Sequence, residues 1–232
     1  MPASLTARLN VQPIEADTSL KGRIYDRLKQ AITAMNIYAE NAELRLDERD
    51  LSERLATSRT PIREALARLE QEGLVHIVPR KGVYIVRKSK AEILDMITVW
   101  AALEGMAARL AARNASDAEI AGLRQLFTTF KNGQVRARID EYSDTNVRFH
   151  QAILALGKSP LLREMADHLF VHMRSIRART IGESNRANRS IIDHLHIIEA
   201  LEIRNADLAE RLVREHTLNL ADHVRENVNY LD

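Results

Sequence analysis

Ser58-Arg59-Thr60-Pro61-Ile62-Arg63-Glu64-Ala65-Leu66-Ala67-Arg68-Leu69 reads as a helix built to lie against DNA, and the rest of the chain is read outward from it. Ser58 or Thr60 suits an N-cap, and Pro61 suits the first helical turn, where a missing N–H costs nothing; the helix is therefore expected to start near Thr60. Ile62, Leu66 and Leu69 share one face at helical spacing, which leaves Arg59 and Arg63 free to point away from a core. Arginines at the N-terminal end of such a helix can pair bidentately with guanine in the major groove or hold phosphate. A surface helix with solvated arginines satisfies this segment equally well, so its surroundings decide.

Upstream, Glu48-Arg49-Asp50-Leu51-Ser52-Glu53-Arg54-Leu55-Ala56 is a short amphipathic helix joined to the arginine helix through Thr57-Ser58, a helix-turn-helix layout. Downstream, Gly73 ends the second helix. Leu74-Val75-His76-Ile77-Val78 and Val83-Tyr84-Ile85-Val86 read as strands around the turn Pro79-Arg80-Lys81-Gly82. The expectation is a winged helix with a basic wing tip. Arg80 and Lys81 would reach phosphate or the minor groove, and Gly82 would let the backbone come close to the duplex.

Arg59-Thr60-Pro61-Ile62-Arg63-Glu64-Ala65-Leu66, then Leu69-Glu70, Glu72-Gly73-Leu74 and Pro79-Arg80-Lys81-Gly82 resemble the signature of the GntR family of bacterial transcriptional regulators. The resemblance implies contacts with a double-stranded DNA operator from Arg49, from Ser58, Arg59, Thr60 and Arg63, and from the wing at Arg80, Lys81 and Gly82. One departure stands out: where the family usually has a Pro-Gly turn before the first motif helix, this chain has Ala42-Glu43.

With 232 residues the chain exceeds the roughly 70 that a winged helix needs, so a second domain must follow. The net charge is only +2, yet residues 59–88 hold seven basic side chains against three acidic ones, a local footprint suited to sequence-specific binding. The absence of cysteine excludes a disulfide scaffold, a thiolate metal site and a cysteine nucleophile. No apolar run approaches a membrane span and the N-terminus lacks a signal-peptide core, so the cytoplasm is the expected compartment, with no membrane partner.

The expected fold is mainly α: an N-terminal winged helix-turn-helix with a small β-wing, then an all-α antiparallel helical bundle. Residues 1–17 read as a flexible arm. Residues 18–88 form the DNA-binding domain, whose first helix carries Leu20, Ile24, Leu28 and Ile32 every four residues. Residues 91–230 form the bundle, in about six helices. They cover Ile93 to Ala112, Ser116 to about Phe130 with a capping box at Ser116 and Glu119, Arg138 to Leu156, Leu161 to Thr180, Asn185 to Ile203, and Ala206 to Val228 after an Asn205 cap. Lys131-Asn132-Gly133 is expected to end the second of these. Such a bundle can enclose a ligand among facing side chains.

Asn146 and His150 lie four residues apart on one helix, about 40° apart around its axis, so they share a face. His194 and His216 are placed symmetrically about Asn205 and face each other if the last two helices form a hairpin. Three imidazoles and one oxygen donor suit Zn²⁺, Ni²⁺ or a similar borderline metal. The alternative is that these are ordinary polar residues in a chain with eight histidines.

Asn146-Val147-Arg148-Phe149-His150, His194-Leu195-His196 and Glu215-His216 resemble the metal-binding pattern of the FCD ligand-sensing domain found in the FadR-type branch of the family. The resemblance implies a divalent transition metal on Asn146, His150, His194 and His216, weakened because the first slot usually holds Asp. A second departure is Trp100, in a slot the family fills with Arg; it implies either an apolar effector contact or plain core. Arg174 and Arg177 could grip an effector carboxylate bidentately or lie on a solvated face.

The resulting expectation is a homodimeric repressor whose operator binding is modulated by a small carboxylate metabolite. Two rivals are a metal-dependent enzyme using the three histidines, and an architectural DNA-binding protein without a ligand. The first has no general base, nucleophile or oxyanion donor near the His motifs in sequence, and it leaves the N-terminal domain without a purpose.

Overall fold

The computed structural model describes residues 20–128, 130, 138–183 and 185–231; the arm at 1–17 and the turn Lys131-Asn132-Gly133 lie outside them. The N-terminal head comprises helix α1 (Leu20–Ala34), strand β1 (Arg45–Leu46), helices α2 (Glu48–Arg54) and α3 (Arg59–Gln71), and strands β2 (Val75–Val78) and β3 (Gly82–Ile85). Six helices follow among the described residues: α4 (Lys90–Asn114), α5 (Asp117–Gln125), α6 (Ile139–Leu156), α7 (Pro160–Thr180), α8 (Arg186–Glu202) and α9 (Ala206–Asn227).

The head folds around the apolar faces read from the sequence. Ile24, Leu28 and Ile32 of α1 and Ile62, Leu66 and Leu69 of α3 are buried together with Val83 and Ile85 of the wing. The wing hairpin pairs Val78 with Gly82 and His76 with Tyr84. Its turn needs positive φ at Arg80 (64°) and Gly82 (124°), which glycine supplies without strain at the second position. Sequence patterning missed β1, which is only two residues long and adds antiparallel to β3, Arg45 opposite Tyr84, to give the order β1-β3-β2.

Helix α2 is capped by Asp47, whose carboxylate accepts from the backbone N–H groups of Arg49 and Asp50. Ser58 occupies the cap position of α3, but neither it nor Thr60 caps as expected: α3 starts at Arg59, and the Ser58 side chain makes no capping hydrogen bond. The departure from the family's Pro-Gly turn is bridged by Arg87. Its Nε donates to the Ile37 carbonyl at 2.7 Å and its Nη2 to that of Ala39 at 2.8 Å, while Ile37 and Tyr38 bury their side chains below.

In the bundle, α4 is the central element and packs against α6, α7, α8 and α9. Its Ala107, Ala108 and Ala111 are buried and let neighbours approach closely; a Cβ on Gly157 would lie 3.1 Å from the Ala107 backbone. Helix starts are set by caps. Ser89 with Glu92 and Ser116 with Glu119 form complete capping boxes, which hold each glutamate at about 2, and Asn205 accepts from the Leu208 N–H. No helix among the described residues is long and apolar enough to cross a membrane.

The two parts share one continuous core and several polar contacts. Arg174 of α7 donates to the Thr33 carbonyl at 2.8 Å, Ser175 to that of Met35 at 3.4 Å, and the Tyr38 hydroxyl meets His172 Nδ1 at 2.8 Å. Both carbonyls belong to the C-terminal end of α1, where helix geometry leaves acceptors without intrahelical partners.

Candidate functional site

Two surfaces carry chemistry, one on the head and one inside the bundle. On the head, Arg49, Ser58, Arg59, Thr60, Arg63, Arg80 and Lys81 are all exposed. Arg49 is paired with Glu53 at 3.0 Å and Arg63 with Glu48 at 2.7 Å. Such surface pairs are weak and exchange readily for phosphate or a base edge. A cleft of about 370 Å³ runs between the wing and the start of α2 and α3, lined by Arg45, Asp47, Arg49, Arg59, Arg80 and Lys81. Among the described residues the side chains of Arg45, Arg59, Arg80 and Lys81 make no hydrogen bond or ion pair. Arg45 went unnoticed in the sequence because its strand is two residues long. A Cβ on Gly82 would sit 3.4 Å from Arg45 Nε, which places that guanidinium beside the turn at the wing tip.

Inside the bundle, α6, α8 and α9 bring His150, His194 and His216 together, each with a potential ligand nitrogen within 4.8 Å of the others. All three are buried, and the Nε2 atoms of His194 and His216 face each other at 3.2 Å. Two imidazole nitrogens on one tetrahedral Zn²⁺ sit about 3.3 Å apart, given bonds of about 2.0–2.1 Å. His216 Nδ1 donates to Asp193 Oδ2 at 2.9 Å, and His150 Nδ1 donates to Glu104. A carboxylate on Nδ1–H fixes the tautomer and leaves the Nε2 lone pair free to accept or ligate. Burial holds His150 and His194 far below the usual histidine range, with Arg177 adding to the effect on His150 and His216 on His194. Burial also lowers His216, against the pull of Asp193. Neutral imidazole is the ligating form.

Asn146 lies one turn before His150, is 2% exposed, and its Oδ1 accepts from Ser190 Oγ at 3.4 Å, one turn before His194. Phe127 and Phe149 wall the pocket, their ring centroids 5.1 and 4.2 Å from that of His194. A groove of about 430 Å³ along α8 and α9 leads to His216, lined also by Arg186, Arg189 and Asp193. Burial, reinforced by Arg177, pushes Arg186 down to about 10.

The three candidate effector residues part company. Arg177 is in the pocket: its Nη1 donates to His150 Nε2 at 2.7 Å and its Nη2 to Thr217 Oγ1 at 3.2 Å, with Glu104 at 3.6 Å. Arg174 is not in it. It faces α1, because three residues along a helix turn a side chain far enough to serve a different neighbour. Trp100 is core, 1% exposed and stacked on Phe170, and it reaches the site only by donating from Nε1 to Glu104 Oε2 at 2.8 Å.

Glu104 is the residue sequence reasoning passed over. Fully buried, it accepts from Trp100, Thr217 and His150 and pairs with Arg177. Burial pushes its carboxyl up, and Arg177 and the Thr217 hydroxyl pull it back. The signal was its place on the apolar stripe Ile93, Ile97, Trp100, where a carboxylate must have partners. Asp193 could have been found as the carboxylate beside His194.

A sequence profile described as "Bacterial regulatory proteins, gntR family" matches residues 20–85, and one described as "FCD domain" matches residues 95–219. The chain belongs to the gntR family, with an FCD domain after its head. Among relatives, the HTH-type transcriptional repressor RspR of Escherichia coli is 26% identical over 181 residues, 78% of this chain and 79% of that protein. The Nta operon transcriptional regulator of Aminobacter aminovorans is 32% identical over 183 residues, 78% of this chain and 85% of that protein. The solved structure of E. coli McbR/YncC superposes with a TM-score of 0.73 at 24% identity, covering 91% of this chain and 99% of that one. This likeness shows the fold. The relatives of this GntR-family chain are transcriptional regulators, so the reading of the three histidines as an enzyme's metal centre is set aside.

Proposed function

We propose that this GntR-type regulator is a homodimeric, cytoplasmic repressor that releases or tightens on its operator when a small carboxylate metabolite occupies the histidine pocket. The observation that carries the ligand half is the convergence of three buried neutral imidazoles, two with Nε2 atoms turned toward each other, in a pocket reached by an arginine-lined groove. The repressor sense is taken from RspR, which is named as one. His150, His194 and His216, with Asn146 Oδ1 as an uncharged fourth donor, would hold a Zn²⁺ or Ni²⁺ ion; when bound, it supplies a positive centre with room for a carboxylate oxygen. Arg177 and Arg186 would hold the far side of that anion.

On the head, one winged helix per half-site would read a pseudo-palindrome, with Arg59, Arg63, Ser58 and Thr60 of α3 in the major groove and Arg49, Arg80, Lys81 and Gly82 on the backbone. A test in two arms separates the halves. DNA selected from a random pool by the full chain is used in gel shifts; Arg59→Ala is expected to weaken binding at least about tenfold, the cost of about one good bidentate contact. Elemental analysis of protein purified without chelator is expected to find near-stoichiometric transition metal, lost in His194→Ala and raised in affinity in Asn146→Asp. Unchanged DNA affinity would sink the first assignment, and no metal in either the native chain or Asn146→Asp would sink the second.

A further inference from the structure

We propose that Arg177 and a metal ion compete for the same lone pair of His150, so that this pocket binds metal tightly only together with a carboxylate that takes over the displaced guanidinium. The inference rests on the metal-pocket reading and concerns what regulates it.

The geometry of three side chains carries it. His150 uses both ring nitrogens: Nδ1–H donates to Glu104, and Nε2 accepts from Arg177 Nη1 at 2.7 Å. The Nε2 atoms of His194 and His216 are hydrogen-bonded to each other, and among the described residues no cationic side chain donates to either ring. A cation seated on all three imidazoles therefore has to evict Arg177 from His150. The eviction meets two obstacles. Arg177 is 4% exposed and carries its own positive charge into the pocket, and Asn146 offers a ligand oxygen but no negative charge to offset a second cation.

Arg177 also has unmet capacity. Its Nε is buried and has no hydrogen-bond partner among the described residues, while Nη2 is satisfied by Thr217 and the guanidinium remains near Glu104. Once displaced, Nη1 joins Nε as a donor without an acceptor. A carboxylate forked onto the Nε–Nη2 edge supplies the acceptor that Nε lacks, and its negative charge lies between two cations. The groove past Arg186 and Arg189 to His216 gives such an anion its way in. Metal and carboxylate then favour each other reciprocally, as linkage requires, and the sensor responds to the pair.

The test is calorimetric titration of Zn²⁺ into chelator-stripped full-length protein, with and without millimolar acetate, a weak chelator in solution. Acetate is expected to tighten Zn²⁺ binding to the native chain about tenfold, and Arg177→Gln to bind Zn²⁺ about tenfold more tightly than the native chain without acetate, with little further response to it. Arg177→Lys keeps a charge opposite Glu104 should the glutamine variant fail to fold. Its shorter reach is expected to free His150 and to blunt the acetate response. Equal, acetate-independent affinity in the native chain and both variants, with binding still lost in His194→Ala, would overturn the competition and leave the metal pocket standing. No Zn²⁺ binding by any form, Asn146→Asp included, would overturn both.

Discussion

Glu104 shows how much a single buried carboxylate can organise. Its oxygens accept from an indole, a hydroxyl and an imidazole and face a guanidinium, so four side chains from α4, α6, α7 and α9 owe their orientation to it. Glu104→Ala removes the acceptor and leaves Arg177 charged in a site with almost no access to water. Breaking such a pair is expected to cost about 3–5 kcal/mol, read as a lowered midpoint in urea denaturation of the full chain. A loss below about 1 kcal/mol would mean that Arg177 finds water or another anion, and that the site is less closed than its burial implies. The clustering of the three histidines was legible in the sequence because Asn146 and His150 share a helix face and His194 and His216 lie symmetrically about the Asn205 turn. Glu104 was harder to see because its role is set by partners 46, 73 and 113 positions away, distances at which no spacing rule operates.

At the scale of elements, caps and stripes were readable and irregular segments were not. Ser116 with Glu119 and Asn205 announce α5 and α9 by local chemistry, and the predicted helices of the bundle fall within a few residues of those observed, except that α5 ends at Gln125 and not near Phe130. Strand β1 pairs with the edge that β3 offers it, and the turn after α1 is held by distant groups, Arg87 reaching back from beyond β3 among them. Helix α7 carries a further consequence of tertiary context. His172 accepts at Nδ1 from the Tyr38 hydroxyl, which itself accepts from the Lys88 N–H, and burial with Lys88 nearby pushes His172 down to about 4 against a small opposing pull from Glu92. Since the folded state refuses a proton that the unfolded chain takes up, this histidine contributes stability that is fully present above its ordinary value of 6.5. That contribution falls away as pH drops from there toward 4, by about 3 kcal/mol in all. Urea denaturation at neutral pH and at the acid end of that window is expected to show a smaller difference for His172→Gln than for the native chain. Equal differences would place the acid sensitivity elsewhere, in His150 and His194 first.

Across the whole molecule, α7 touches both the histidine pocket and the head. Arg177 lies against His150 in the pocket, and one turn earlier Arg174 and Ser175 hold the terminal carbonyls of α1, which packs on α3. The rise between Arg174 and Arg177 is only about 4.5 Å along a rigid helix, so a shift of α7 that accommodates a displaced Arg177 is delivered to α1 with little loss. Ligands alter DNA affinity only by binding one arrangement of heads better than another, so cutting this link should spare binding and blunt the response. Arg174→Ala is expected to keep operator affinity within about twofold of the native chain, while the change in affinity caused by Zn²⁺ with acetate shrinks by about fivefold, roughly 1 kcal/mol of coupling. Fluorescence anisotropy on selected operator DNA, with and without that pair, reads both quantities at once. A full response in Arg174→Ala would mean that the signal leaves the pocket through α4, which joins the head to the bundle directly. A lost operator affinity would mean instead that Arg174 supports the head itself, because α1 then needs its carbonyls held for α3 to be presented at all.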